Sequence, residues 1–216
     1  MALPDLAHLP SVPESRLPAA LLAQLPEATP APPWDCRVRA VVWVQRAPSP
    51  LPSSSPFAGR VRALTVGAVV DYLESPVGPY REVFAGPLLR GPLLPVLHIP
   101  FIAVDSLPSV HGGRAHWALP KAVAAFSGDV GSGRVAAAGD GWTLGVVAST
   151  LGPRLPVVGP LRSDQGRGPA TASLNGRGRL ARVRVAASGP TLSGWLGSGT
   201  HPGVVAEGRM RVHGPR

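Results

Sequence analysis

The sequence predicts a mainly β fold, a closed or nearly closed barrel or a sandwich, with one short helix. Three observations predict it. Glycine and proline, at 26 and 27 of 216 residues, favour turns over long helices. Runs of β-branched or alternating residues recur from position 34 onward. Tight-turn dipeptides, Asp140-Gly141 and Asn175-Gly176, fall between such runs.

Taken in order, residues 1–33 carry eight prolines, and only Ala19 to Gln24 has room for a helical turn before Pro26 stops it. This Pro-rich stretch reads as an extended arm, either wrapped on the domain or a neighbouring subunit or left as a disordered tail. Residues 34–212 read as a single domain. Cys36 to Arg46 is a β-branched, partly alternating strand, and Ala47 to Gly59 is a Pro/Ser-rich loop. Arg60 to Tyr72 is a long strand, Ser75 to Pro79 a turn, Tyr80 to Leu89 a third strand and His98 to Val104 a fourth. Pro120 suits the first position of a helix running through Lys121 to Phe126. Beyond it, Gly133 to Ala138, Trp142 to Ala148, Arg179 to Ala187 and Val204 to Val212 are strand-like again.

Composition sets several function classes aside. The net charge of +9 and pI near 11.4 come from arginines scattered as singles and pairs, and aromatics are only 5%. Without a dense basic run or stacking platforms, the charge reads as solubility and attraction of an anionic substrate, with no nucleic-acid partner. Cys36 is the single cysteine, so neither an intrachain disulfide nor a Cys-x-x-Cys knuckle can form. His98, His111 and His116 lie close in sequence with Asp105, but without helical metal-ligand spacing, so no metal is expected. The start lacks a signal-peptide pattern, and the longest apolar tract, Gly91 to Val104, is broken by prolines. A cytoplasmic protein without a membrane partner is expected.

Lys121 stands out, because it is the one lysine among 21 Lys plus Arg residues. A lysine can lose its proton and act as a nucleophile, which an arginine cannot. A compositional accident is the alternative. The neighbours Trp117 to Pro120 and Ala122 to Ala125 are mostly apolar and would desolvate an ammonium. At a helix start it would also meet the positive end of the macrodipole, and no acidic residue lies just N-terminal to restore its charge. Tyr80 and Glu82, two apart in a strand, share one face. That face is either a polar patch inside the fold or a solvated surface paired with Arg81 or Arg90.

The elements Ser75-Pro-Val-Gly-Pro-Tyr-Arg-Glu82, Pro100-Phe-Ile-Ala-Val104 and Gly113-Arg114 with Leu119-Pro-Lys121 resemble, in order and spacing, the acetoacetate decarboxylase superfamily. The resemblance covers roughly residues 34–212. It implies a cone-like, mostly antiparallel β-barrel, a homo-oligomer, and a lysine that forms a Schiff base with a small keto acid, without a separate cofactor. It places Lys121 at the Schiff-base position and Glu82 at an active-site acid. Arg39, and with it Arg114, becomes a candidate for the substrate carboxylate, and Tyr80 and Trp117 are candidates for the substrate pocket, a place in the core being the alternative for Trp117. Arg114 has a structural alternative, pinning its loop to Asp105. Two positions depart from the decarboxylase pattern: Ala122 stands where a second lysine follows the nucleophile, and Gly67 near a second glutamate. The implied activities are decarboxylation of a β-keto acid or an aldolase/dehydratase reaction on an α-keto acid such as pyruvate. A non-catalytic barrel that binds a small acid is the third possibility.

Overall fold

The computed structural model describes residues 6–46, 61–91 and 95–215, so the expected Ala47 to Gly59 loop lies outside the described residues. The chain is mainly β. Its strands are β1 (Trp34–Arg46), β2 (Val61–Glu74), β3 (Tyr80–Leu89), β4 (Val96–Leu97), β5 (Phe101–Val104), β6 (Ala122–Val123), β7 (Ala125–Asp129), β8 (Arg134–Gly139), β9 (Trp142–Asp164), β10 (Pro169–Ser188) and β11 (Gly199–Val212). Among the described residues three α-helices, α1 (Ala19–Leu22), α2 (Leu107–Trp117) and α3 (Leu192–Trp195), and a 3-10 turn at Pro13–Ser15 are interspersed.

All strands join one sheet in the order β6-β5-β3-β2-β1-β11-β10-β9-β8-β7. Two-residue β4 pairs with both β3 and β9, so the path from β3 round to β9 returns on itself there. The return to β9 rests on the single parallel pair Leu97 and Ser163.

Alternation along the strands builds two cores. β2 sends Val69 to a cluster with Trp43, Phe101 and Trp142, and Ala68, Val70 and Tyr72 to a second with Trp34, Tyr80 and Trp117. Within β1, the cavity-facing side carries Val38, Ala40 and Val42, while Val41 and Trp43 pack behind it.

The structure corrects the expected helix. Lys121 lies outside any helix, because α2 ends before it. Ser106 caps α2 by accepting from the Ser109 N–H at 3.3 Å, and Ala118 closes it in the left-handed region at φ 54°. Pro120 therefore follows a helix end, a position proline favours as much as a helix start. Ala122–Val123 then pairs in parallel with Ala103 and Val104 as β6. The macrodipole argument for Lys121 falls with the helix.

Asn175-Gly176 is also not a turn. Both residues sit inside β10, paired with Val158 and Val157 on one side and Arg209 and Gly208 on the other. A Cβ on Gly176 would collide with the Glu207 carbonyl, so this glycine serves close strand approach. Asp140-Gly141 does form the β8–β9 hairpin, with Gly141 at φ +71°.

The described part of the arm, from residue 6, is bound to the domain. The Ser15 hydroxyl accepts from the Ile102 N–H at 2.9 Å, and the Val12 N–H donates to the Pro100 carbonyl. Buried Glu14 accepts from the N–H groups of Thr191 and Leu192, and Thr29 contacts the rings of His111 and His116. Among the described residues no helix is long and apolar enough to cross a membrane.

Candidate active site

The site forms where β3, α2 and the Lys121 segment meet. Tyr80 and Glu82 point to one side of β3, and that side faces inward: their relative exposures are 6% and 3%. Of the two faces open to the sequence reading, the buried one is realised. The segment after α2 brings Lys121 against this face, and its Nζ lies 2.6 Å from Glu82 Oε2, with both side chains at most 5% exposed.

Three further features hold the amine. Its Nζ donates to Ser109 Oγ at 3.0 Å and stands 5.2 Å from the Tyr80 ring centroid. Tyr80 stacks on Tyr72 at 4.2 Å, and the Tyr72 hydroxyl donates to Glu82 Oε1 at 3.1 Å. Gly113 is required for the approach, because a Cβ there would lie 2.5 Å from Lys121 Cδ. No neighbour in sequence supplies an acid to Lys121; its ion-pair partner is Glu82, distant in sequence.

Electrostatics follow from this packing. Burial, reinforced by the Glu82 charge, pushes both Tyr72 and Tyr80 well above ordinary phenols, so each remains a neutral hydroxyl. Cys36 is pushed up to about 12, chiefly by burial, with the Lys121 charge opposing the shift. It is an inert thiol beside the site.

The other sequence candidates are engaged by other groups of the protein. Arg114 is 1% exposed, and its guanidinium donates to three backbone carbonyls: Lys121 at 2.7 Å, Leu6 at 2.6 Å and Ser15 at 3.2 Å. It fixes the Lys121 backbone to the arm and does not present a free fork to a substrate. The suggested partner Asp105 is instead bound to Arg81 at 2.7 Å. Arg39 alternates with cavity-facing Val38 and Ala40 and pairs with Glu207 at 3.2 Å, away from Lys121. Trp117 packs edge-on against Trp34 at 4.9 Å and donates to the His213 carbonyl. It is a core residue. Sequence reasoning missed Tyr72 and Ser109. Tyr72 could have been found from its register, because it pairs opposite Tyr80 on β2.

A cavity of about 480 Å³ borders Glu82 of the ion pair and is lined by residues of β1 to β5 and β9 to β11. Tyr72, Glu82 and Leu119 line its inner end, and Lys121 lies immediately behind Glu82. The walls are largely apolar, with Val38, Phe84, Leu88, Leu174 and Met210 among them. Among the described residues, no group of three or more His, Cys, Asp or Glu is arranged to hold a metal.

No family model matches the chain, and no curated protein is a significant match. Solved structures do match. An acetoacetate decarboxylase aligns over 87% of this chain and 89% of its own, at 11% identity and TM-score 0.59. An acetoacetate decarboxylase-like enzyme from Sphingomonas wittichii RW1 aligns over 86% and 92%, at 15% identity and TM-score 0.56. The enduracididine biosynthesis enzyme MppR complexed with pyruvate aligns over 87% and 90%, at 15% identity and TM-score 0.52. At such identities the likeness concerns the fold, and by it this chain has the acetoacetate decarboxylase-like fold.

Proposed function

We propose that this protein is a Schiff-base enzyme that decarboxylates a β-keto acid through Lys121, acting without a separate cofactor. The observation that carries the reading is the buried Lys121–Glu82 pair at the inner end of an apolar cavity. Solvent is excluded there, and a carboxylate within 2.6 Å can take the ammonium proton. The neutral amine attacks the ketone carbon, and Glu82 returns the proton as water leaves, giving a protonated imine. The imine withdraws the electron pair of the C–C bond to the carboxylate, which departs as CO₂ and leaves an enamine. Protonation of the enamine carbon, with Glu82 as relay, and hydrolysis release the ketone and the amine. Tyr72 holds Glu82 in place through its other oxygen. Glu82 borders the cavity and pairs with the amine, so in this reading the substrate approaches Lys121 from the Glu82 side.

A second reading is aldol or dehydratase chemistry on an α-keto acid, in which the imine tautomerises to an enamine nucleophile. The pyruvate complex of MppR and the replacement of the decarboxylases' second lysine by Ala122 favour it. Both readings share the imine, and one experiment tests it. Incubation with acetoacetate or pyruvate followed by borohydride gives a mass gain located on Lys121, and Lys121→Arg gives none. Glu82→Gln lowers the rate of adduct formation about 100-fold or more. Absence of an adduct across a panel of keto acids, with the protein folded, overturns the reading and leaves a non-catalytic binding fold. A homo-oligomer, a barrel-like enclosure and a cytoplasmic location complete the proposal.

A further inference from the structure

We infer that the carbonyl substrate carries an extended apolar chain, of the kind found in a medium-chain β-keto acid, which occupies the cavity beyond Glu82. This deepens the imine reading and rests on it.

The cavity extends along one face of β3 from Glu82 through Phe84 to Leu88. The six steps from Glu82 to Leu88 correspond to about 20 Å of wall. Where the enclosing strands could have filled this space with large side chains, the sequence instead places Ala40, Ala172, Gly176, Ala206 and Gly208. The resulting volume of about 480 Å³ lies within the roughly 300–1,000 Å³ usual for sites that hold drug-sized ligands. Acetoacetate or pyruvate, with three or four carbons, leaves most of it empty.

The charges around the cavity exclude a second anionic group at its far end. Besides Glu82, the charged residues bordering it among the described residues are Glu207 and Arg162. Glu207 is engaged by Arg39. Arg162 pairs with Thr171, out of step with Ala170, which is buried in the Tyr72 cluster, so the Arg162 side chain points off the cavity face. The cavity thus offers ionic partners only at the Lys121 end and apolar surface elsewhere. A chain with its carbonyl at one terminus and hydrocarbon behind it matches that distribution. For a β-keto acid R–CO–CH₂–COOH, loss of CO₂ through the Lys121 imine then yields the methyl ketone R–CO–CH₃.

Two ladders of ligands test the inference. Methyl ketones from acetone to 2-nonanone are trapped on the wild-type protein with borohydride, and the adduct on Lys121 is quantified. The matching 2-alkanols, which cannot form an imine, are titrated by calorimetry. Both responses rise about fourfold per methylene, the ~0.8 kcal/mol of a buried CH₂, until the cavity is filled. Ala206→Phe, or the milder Ala40→Leu should the first not fold, flattens the rise along both ladders, each long-chain response being read against acetone trapping or 2-propanol binding on the same variant. Acetone adducts with no gain along either ladder overturn the inference while the imine reading stands. Graded alkanol binding with no adduct from any ketone sinks the imine reading, and with it the substrate assignment, leaving only a site for apolar chains. Flat alkanol affinities also overturn the inference.

Discussion

At the scale of single residues, the site depends on which buried polar groups are partnered and by what. Lys121 is held by Glu82 and Ser109, and Glu82 by Lys121 and Tyr72. Arg114, open in the sequence to a substrate or a structural role, satisfies three carbonyls. Arg114→Leu leaves those acceptors buried without a donor and is expected to destabilise the protein by about 3 kcal/mol or more. Urea denaturation of the variant measures this. A stability within about 0.5 kcal/mol of wild type would show that the three bonds carry no net weight. Local sequence announced Lys121 through its scarcity and apolar neighbours. It could not announce Glu82 as the partner, because the pairing depends on which way β3 faces.

At the scale of elements, the arm and α2 act as one support. Ser15 joins the arm to β5 through the Ile102 backbone, and the same arm supplies two of the Arg114 acceptors. Ser15→Ala removes one buried hydrogen-bonding group and leaves the Ile102 amide unsatisfied, at a cost of about 1–2 kcal/mol. Hydrogen exchange at Ile102 should accelerate in this variant, and exchange in the distant β8–β9 hairpin should not. Strand boundaries such as Tyr80–Leu89 were legible from alternation, and Ser75–Pro79 from its turn residues. The helix was misplaced because α2 contains Pro108, Gly112 and Gly113, residues that local propensity reads as helix-breaking. Tertiary contact reverses that reading: a Cβ on Gly112 would press on the Trp34 ring, and one on Gly113 on Lys121. β9 was expected to end near Ala148 but reaches Asp164, because β10 provides a continuous partner across its prolines and glycines.

At the scale of the whole molecule, three weak acids buried around the site make stability fall on the alkaline side. Cys36 rises from an ordinary 9.0 to about 12, so between these values the unfolded chain releases a proton that the folded chain retains. The Cys36 contribution is therefore constant below about pH 9 and declines above it, by at most ~1.4 kcal/mol per pH unit. Above pH 10 Tyr72 and Tyr80, raised in the same sense, add to the slope. Denaturation midpoints between pH 8 and 10 check this, and Cys36→Ala should flatten the decline between 9 and 10. An unchanged slope in that variant would place the alkaline sensitivity elsewhere.

The sequence by itself determined the mainly β class, most strand positions, the Asp140-Gly141 hairpin and the singular lysine. Each of these rests on short-range periodicity or on residue type, which a few neighbours suffice to specify. Only the tertiary structure decided that Lys121 follows a helix rather than starting one, that Glu82 pairs with it, and that Arg114 and Arg39 are engaged by carbonyls and by Glu207. It also decided that an apolar cavity stands in front of the pair. The reason is physical: side-chain direction alternates with every residue along a strand, so which groups meet depends on the registers of β1, β2, β3 and β11 taken together.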